Sequence, residues 1–235
     1  ACKIGAREFL VMKKKSPEQI GKGMGAWSKG LQATSPELAQ KLDRPRSEGW
    51  EMLEEIDLPR YKRVQVSAEE FLQDPALITK DIPSERLFVF LQPKEGVPVR
   101  KTKLSLDEAV EFVRTTVKSS PDAWEVFVSE TEEEKFGGNI AVDKDGRAII
   151  EMTTKGQGGI SAGTVVPEIR AWQDRFSGIW KYDSDDADER RLVQSVMRDV
   201  PRDGREYLPG LYEFHLVQPD EDEPMEIKFI DYVPE

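Results

Sequence analysis

Residues 211–232 read LYEFHLVQPDEDEPMEIKFIDY, and the pairing of this stretch decides which fold the chain adopts. Two runs with strand character, YEFHLV and EIKFIDY, flank a loop of acids and prolines. That is the pattern of a β-hairpin. A turn centred near Asp222 pairs residues whose numbers sum to about 444, which sets Glu213 opposite Asp231. Like charges directly across a strand pair repel. A divalent cation between the two carboxylates would turn that repulsion into coordination. A register displaced by one or two residues would instead leave each acid facing solvent. In the expected register Glu213 shares its face with Leu211, His215 and Val217, and Asp231 shares its face with Phe229 and Ile227. Both acids then sit on mostly apolar surfaces.

The 235 residues suffice for one large domain or two smaller lobes with a buried core. A formal net charge of −11 argues against nucleic-acid or anionic-membrane binding through bulk charge. No apolar run approaches the roughly 20 residues that span a bilayer, so no membrane association is expected. ACKIGAREFLVMKKK at 1–15 lacks a charged region followed by a long apolar core, and a secretory signal is not visible. The single cysteine, Cys2, excludes an internal disulfide framework, and the single histidine, His215, excludes a His-rich zinc site. A cytoplasmic location is the expectation, with His215 read as a structural residue of its strand.

Outward from the hairpin the chain alternates helix and strand patterns. Residues 16–42 read as helical, with starts at Ser16 and Ser35, and enclose the glycine-rich GKGMGAW at 21–27, which lacks P-loop spacing. A short helix precedes Leu58-Pro59, a strand follows at 62–66, and Ser67-Ala-Glu-Glu70 forms a capping box for a helix through Leu72. LFVFLQP (87–93) and WEVFVSE (124–130) read as strands, and Leu106–Arg114 as a helix with Ser105 as its N-cap. GGNIAVD and RAIIEM form a hairpin around 144–146, and 167–180 and 187–199 read as the last helices. The fold class expected is α+β.

A second stretch, IIEMTTKGQGGISAGTVVPE at 149–168, runs from a strand into a segment with Gly156, Gly158, Gly159 and Gly163. Such a loop lets backbone N–H groups approach an anion, and Lys155 adds a positive charge beside it. An ordinary surface loop fits the same pattern.

This stretch is similar to a segment in the ATP-binding domains of phosphoenolpyruvate synthases and pyruvate phosphate dikinases. There an acidic strand end leads through a glycine turn into Val-Ser-Gly-x-Val-Thr-Pro-Asp, a pattern that Ser161-Ala-Gly163-Thr-Val165-Val-Pro167-Glu168 follows. VFVSETEEEKFGGNIAV, the closing hairpin, and RSEGWEMLEEIDLPRYKRVQVSAEEFL resemble further pieces in the same order, from about residue 45 onward. The resemblance implies an ATP-grasp-like fold, with two lobes of antiparallel sheet packed with helices, placed here at 1–120 and 121–235. It implies ATP and Mg²⁺ as ligands. Glu213 takes the place of the metal-binding glutamate and Asp231 that of the glutamine on the facing strand, and Glu151, in the place of a carboxylate before the glycine loop, is expected to help them bind the metal. Lys155, Gly156, Gly158 and Gly159 would contact phosphate. Arg46 stands for a phosphate-contacting lysine, and Glu130 lies on the adenine-side strand. Departures are equally plain. Phe90 occupies the place of an arginine, with Lys94, Arg100 or Lys101 as substitutes, and Tyr232 and Val233 replace an arginine-containing strand end. Phosphoryl transfer depends on such cations. Two expectations therefore stand: a Mg·ATP-dependent phosphotransferase or ligase acting on a small carboxylate or enol, and a non-catalytic relative that binds a partner protein or ligand.

Overall fold

The computed structural model describes residues 46–234 except 83, 119, 145, 162–163, 175–176 and 220–221, with backbone only at Arg46 and Ser47. The expected helices over 16–42 and the GKGMGAW segment lie outside the described residues. Two units emerge. The smaller is Arg60–Glu133 with Gln218–Pro224; the larger holds Glu134–Val217, Met225–Glu235 and the described residues up to Pro59.

In the smaller unit four antiparallel strands lie in the order β1-β4-β2-β3: β1 (Arg63–Ser67), β2 (Leu87–Pro93), β3 (Val99–Leu104) and β4 (Trp124–Glu130). WEVFVSE fills the slot between β1 and β2, so one sheet draws on residues from both sides of position 120. Leu87, Val89 and Leu91 of β2 and Val126 and Val128 of β4 build a core with Phe71 and Val113. Phe71 belongs to the helix Ala68–Gln73, and Val113 to the helix Leu106–Val117. The latter buries Ala109, Val113 and Val117, one residue per turn on a single stripe. Both helices start where the sequence signals. Ser67 and Ser105 accept from the backbone N–H three residues on, while Glu70 and Glu108 reach back to the N–H of the capping serine.

The larger unit is built on a six-stranded antiparallel sheet in the order β12-β11-β5-β6-β7-β8. Its strands are β5 (Glu134–Val142), β6 (Ala148–Thr153), β7 (Ile169–Gln173), β8 (Trp180–Tyr182), β11 (Gly210–Val217) and β12 (Glu226–Pro234); β9 (Arg202–Asp203) and β10 (Glu206–Tyr207) pair separately. We number its helices α1 (Arg46–Glu55), α2 (Gln157–Ser161) and α3 (Ala187–Asp199). Helix α3 opens on Asp186, whose carboxylate accepts from Asp188 and Glu189 N–H, as the acidic 183–189 stretch suggests. The helix expected over 167–180 is not formed: β7 and β8 occupy it. Ile169, Trp172 and Ile179 fall at helix-like intervals, but burial follows period two, with Ile169 and Ala171 inside and Arg170 and Trp172 half-buried.

The β11–β12 pairing sets Glu213 opposite Asp231. Immediately beyond it the register shifts, so that Phe214 opposes Phe229 and Ile230 is the inserted residue of a bulge. The expectation that Asp231 shares a face with Phe229 and Ile227 is therefore corrected. Phe229 and Ile227 lie with Phe214 and Leu216, whereas Asp231 and Lys228 lie with Glu213 and His215. Behind the sheet Tyr212 stacks on Tyr232 at 4.6 Å and meets Phe229 edge-on at 5.9 Å. Trp50 of α1 donates its indole N–H to Ile230 O at 3.0 Å, and Phe229 N–H donates to Pro59 O at 2.8 Å. Among the described residues no helix is long and apolar enough to cross a membrane.

Two outcomes test this account. A Cβ at Gly138 would meet the Phe214 ring; Gly138→Ala should cost about 1–3 kcal/mol in urea unfolding and less in a Phe214→Leu background. Hydrogen bonds from the Ser67 and Ser105 backbone N–H hold the Glu70 and Glu108 carboxyls below the ordinary glutamate range. A depressed native pKa stabilises above the unfolded value, and that contribution is lost as pH falls through the native one. Glu70→Gln with Glu108→Gln should therefore flatten the decline of Tm between neutral pH and the acid side of the carboxylate range.

Candidate functional site

Register lines up one row of polar side chains across the face opposite the aromatic stack. Asp231 opposes Glu213, Glu213 opposes Asn139, Asn139 opposes Glu151, and Glu151 opposes Arg170. Each pair belongs to neighbouring strands, so one face collects five polar residues from β12, β11, β5, β6 and β7. The next level holds Lys228, His215, Gly137 and Thr153. On the other side of the polar row run Val233, Leu211, Ala141, Ile149 and Trp172.

Helix α2 is fastened to this row by side chains. Gln157 and Asn139 are only 4% and 1% exposed, so their amides require internal partners. Gln157 Nε2 donates to Asn139 Oδ1 at 3.1 Å and to Ser161 Oγ at 2.6 Å, and Asn139 Nδ2 donates to the same hydroxyl at 3.2 Å. Ser161 then has one hydrogen left to give, and it goes to Glu213 Oε1 at 2.6 Å. Donors thus point successively toward the carboxylate, and that closed network fixes the Glu213 side chain. The chain turns onto the sheet at Gly156, whose φ of +93° favours glycine. Glu134 Oε1 accepts from Gln157 N–H at 2.7 Å, and its other oxygen lies 3.7 Å from His215 Nε2. Gly137 has no Cβ because Glu134 and the Gln157 backbone occupy that space.

The predicted site residues fall into three groups. Glu213 and Asp231 are opposed, as the hairpin reading expects. Glu151 lies two strands from Glu213 and pairs with Arg170, Nε to Oε1 3.3 Å. Gly158 and Gly159 are part of α2 rather than of an open loop, and Gly159 O accepts from Thr164 and Val165 N–H. Lys155 Nζ lies 3.8 Å from Glu168 Oε1. Glu168 itself accepts from Thr154 N–H at 2.8 Å, which holds its carboxyl below the ordinary range. Glu130 ends β4 in the smaller unit and accepts from Lys62 N–H at 3.1 Å. Arg46 opens α1, and its side chain lies outside the described residues. Phe90 packs edge-on to Phe127 at 5.8 Å. Sequence reasoning passed over Asn139, Gln157, Ser161 and Arg170. A lone asparagine inside the apolar GGNIAV strand is the one signal that pointed there.

Among the described residues no group of three His, Cys, Asp or Glu side chains converges in a way that would hold a metal ion. The donor set at the opposed pair is two carboxylates with the Asn139 carboxamide one strand away. All are oxygen donors that suit a hard cation such as Mg²⁺, which commonly takes only one or two protein carboxylates. The chemistry of the donors therefore fits, although Asn139 Oδ1 is already engaged by Gln157.

No protein-family model and no curated protein matches the chain. Solved structures similar to it include D-alanyl-alanine synthetase A of Vibrio cholerae O1 biovar eltor, 10% identical, covering 89% of this chain and 62% of that one with a TM-score of 0.43. Another is a RiPP-associated ATP-grasp ligase of Chryseobacterium gregarium, in complex with ADP and a leader and core peptide: 15% identity, 94% and 64% coverage, TM-score 0.39. A third is the macrocyclase MdnC of Microcystis aeruginosa bound with precursor peptide MdnA: 11% identity, 80% and 52% coverage, TM-score 0.38. The chain spans about half to just under two thirds of the length of these proteins. At such identities and TM-scores the likeness assigns no function to this chain.

Gly137→Ala tests the docking of α2. The added methyl group should displace Gln157 and raise hydrogen exchange at residues 157–161 well beyond any change in the aromatic strands. Unchanged protection there would contradict the network described.

Proposed function

We propose that this chain is an ATP-grasp-like protein that binds a nucleoside triphosphate together with Mg²⁺, with Glu213 and Asp231 as the cation's carboxylates. The observation that carries this reading is the opposed pair itself. Two acids set face to face across a ladder repel unless a positive charge lies between them. Ser161 braces one of them, the kind of outer support that metal-binding carboxylates usually have. When bound, Mg²⁺ would neutralise phosphate charge at this end of the row.

The protein's own residues would do the rest. Glu213 and Asp231 anchor the cation, while the Gln157–Asn139–Ser161 network holds Glu213 in one orientation. Lys155, Gly156, Gly158 and Gly159 are proposed to meet phosphate. For Lys155 that means leaving Glu168, an exchange between exposed partners that costs little. Glu130 and Arg46 are proposed for the adenine and phosphate ends. Within the class, the ordered sequence resemblance supports a relative of the phosphoenolpyruvate synthase and pyruvate phosphate dikinase ATP-binding domains. The reaction proposed is phosphoryl transfer to, or ligation of, a small carboxylate or enol, in the cytoplasm. One observation favours a non-catalytic relative instead: Phe90 is buried against Phe127 where the resemblance asks for an arginine.

Thermal unfolding tests nucleotide binding directly. Mg·ATP at about 100 times its dissociation constant should add roughly 2.7 kcal/mol of stability. Glu213→Ala and Asp231→Ala should each remove the Mg²⁺-dependent part of that gain. Absence of any shift at millimolar Mg·ATP would sink the proposal.

A further inference from the structure

Arg170 stands at the far end of the polar row from the acid pair. Its strand is three spacings from that of Glu213, or about 14 Å at a typical inter-strand distance. The side chain is only 36% exposed, and that of Glu151 beside it 13%. The 3.3 Å approach between Arg170 Nε and Glu151 Oε1 is an ion pair without hydrogen-bond alignment, and Nε is buried with no hydrogen-bond partner. Among the described residues neither Nη atom donates a hydrogen bond. A guanidinium presents five N–H donors in a planar fork that matches an oxyanion, and the Nε–H of Arg170, buried without a hydrogen-bond partner, carries a desolvation cost. Surface ion pairs need no such arrangement. Trp172, on the same strand face as Arg170, and Ile149, its partner on β6, are half-buried and give the fork an apolar flank.

We propose that Arg170, oriented by Glu151, is the recognition residue for the second substrate, and that this acceptor carries an oxyanion at the end remote from the cation pair. The acceptor role rests on the Mg·nucleotide reading; the anion site rests on Arg170 alone. Glu151 is a positioning residue here. It neutralises the guanidinium's charge in part and turns the fork outward, so that one face of the sheet runs from a cation-binding end to an anion-binding end. The geometry of a planar fork suits a carboxylate bidentately and a phosphate ester equally in charge.

The test follows the arginine Nε–Hε NMR signals of the whole chain in titrations with sodium acetate and, separately, sodium phosphate at constant ionic strength. The Arg170 signal, identified by its loss in Arg170→Lys, should shift saturably with at least one anion. A stronger response to acetate assigns a carboxylate acceptor, and a stronger response to phosphate assigns a phosphate ester. Binding followed on the Trp172 indole signal should weaken by roughly tenfold in Arg170→Lys, which keeps the charge and loses the fork, and vanish in Arg170→Gln. Both variants should keep the stabilisation by Mg·ATP. No saturable shift in the wild-type protein overturns the proposal. Loss of Mg·ATP stabilisation in folded Arg170→Lys also overturns it, because Arg170 would then serve the nucleotide. A saturable acetate or phosphate site in a protein that ignores Mg·ATP overturns the nucleotide reading and, with it, the acceptor role.

Discussion

One inserted residue, Ile230, reconciles two demands on β12. Phe229 and Tyr232 both face the aromatic stack with Tyr212 and Phe214, yet they are three positions apart in a structure whose side chains alternate every two. Regular pleating would send one of them to the polar face. The bulge absorbs the extra residue, and in doing so delivers Asp231 to the side where Glu213 stands. Helix α1 and the segment that follows it hold the irregularity in place, since Trp50 binds the Ile230 carbonyl and Pro59 accepts from Phe229. The acid pair is therefore a consequence of how the aromatic layer packs behind it.

From that point the polar face organises itself by satisfaction of hydrogen bonds. Asn139 and Gln157 are too buried to be solvated, so their amides turn to each other and to Ser161. The Ser161 hydroxyl in turn offers its own proton to Glu213. A carboxylate that stands opposite a second carboxylate is thereby given a donor from the helix above it. At the opposite end of the row Glu151 is matched by Arg170. The Asn139 amide stands between the acid pair and the Glu151–Arg170 ion pair.

Much of this was legible in the residues. The strands at 87–93 and 124–130 and the helix capped by Ser105 follow from local signals, namely apolar runs of strand length and a serine–glutamate capping box. The Glu213–Asp231 pairing followed from hairpin arithmetic. What failed had tertiary causes. Ile169, Trp172 and Ile179 mimic a helical stripe, and only pairing with β6 makes β7 a strand; Arg170, assigned to a helix, was consequently missed. The bulge leaves no local mark, because it is imposed by α1 and the aromatic layer, so the faces of Phe229 and Ile227 were misread. Two adjacent glycines disfavour a helix, yet α2 contains Gly158 and Gly159, and the side chains of Gln157 and Ser161 tie it to the sheet at both ends.

The bonds from Trp50 and Pro59 have a consequence for association between molecules. Among the described strands β12 is the outermost of its sheet, with a border of main-chain groups that invites a foreign strand. An indole and a proline carbonyl occupy part of that border, and the helix behind them restricts approach. A fragment beginning after Pro59 would retain every ladder of the sheet but lose this cover. Such a fragment would tend to self-associate edge to edge, a fate set by backbone valence rather than by any loss of core.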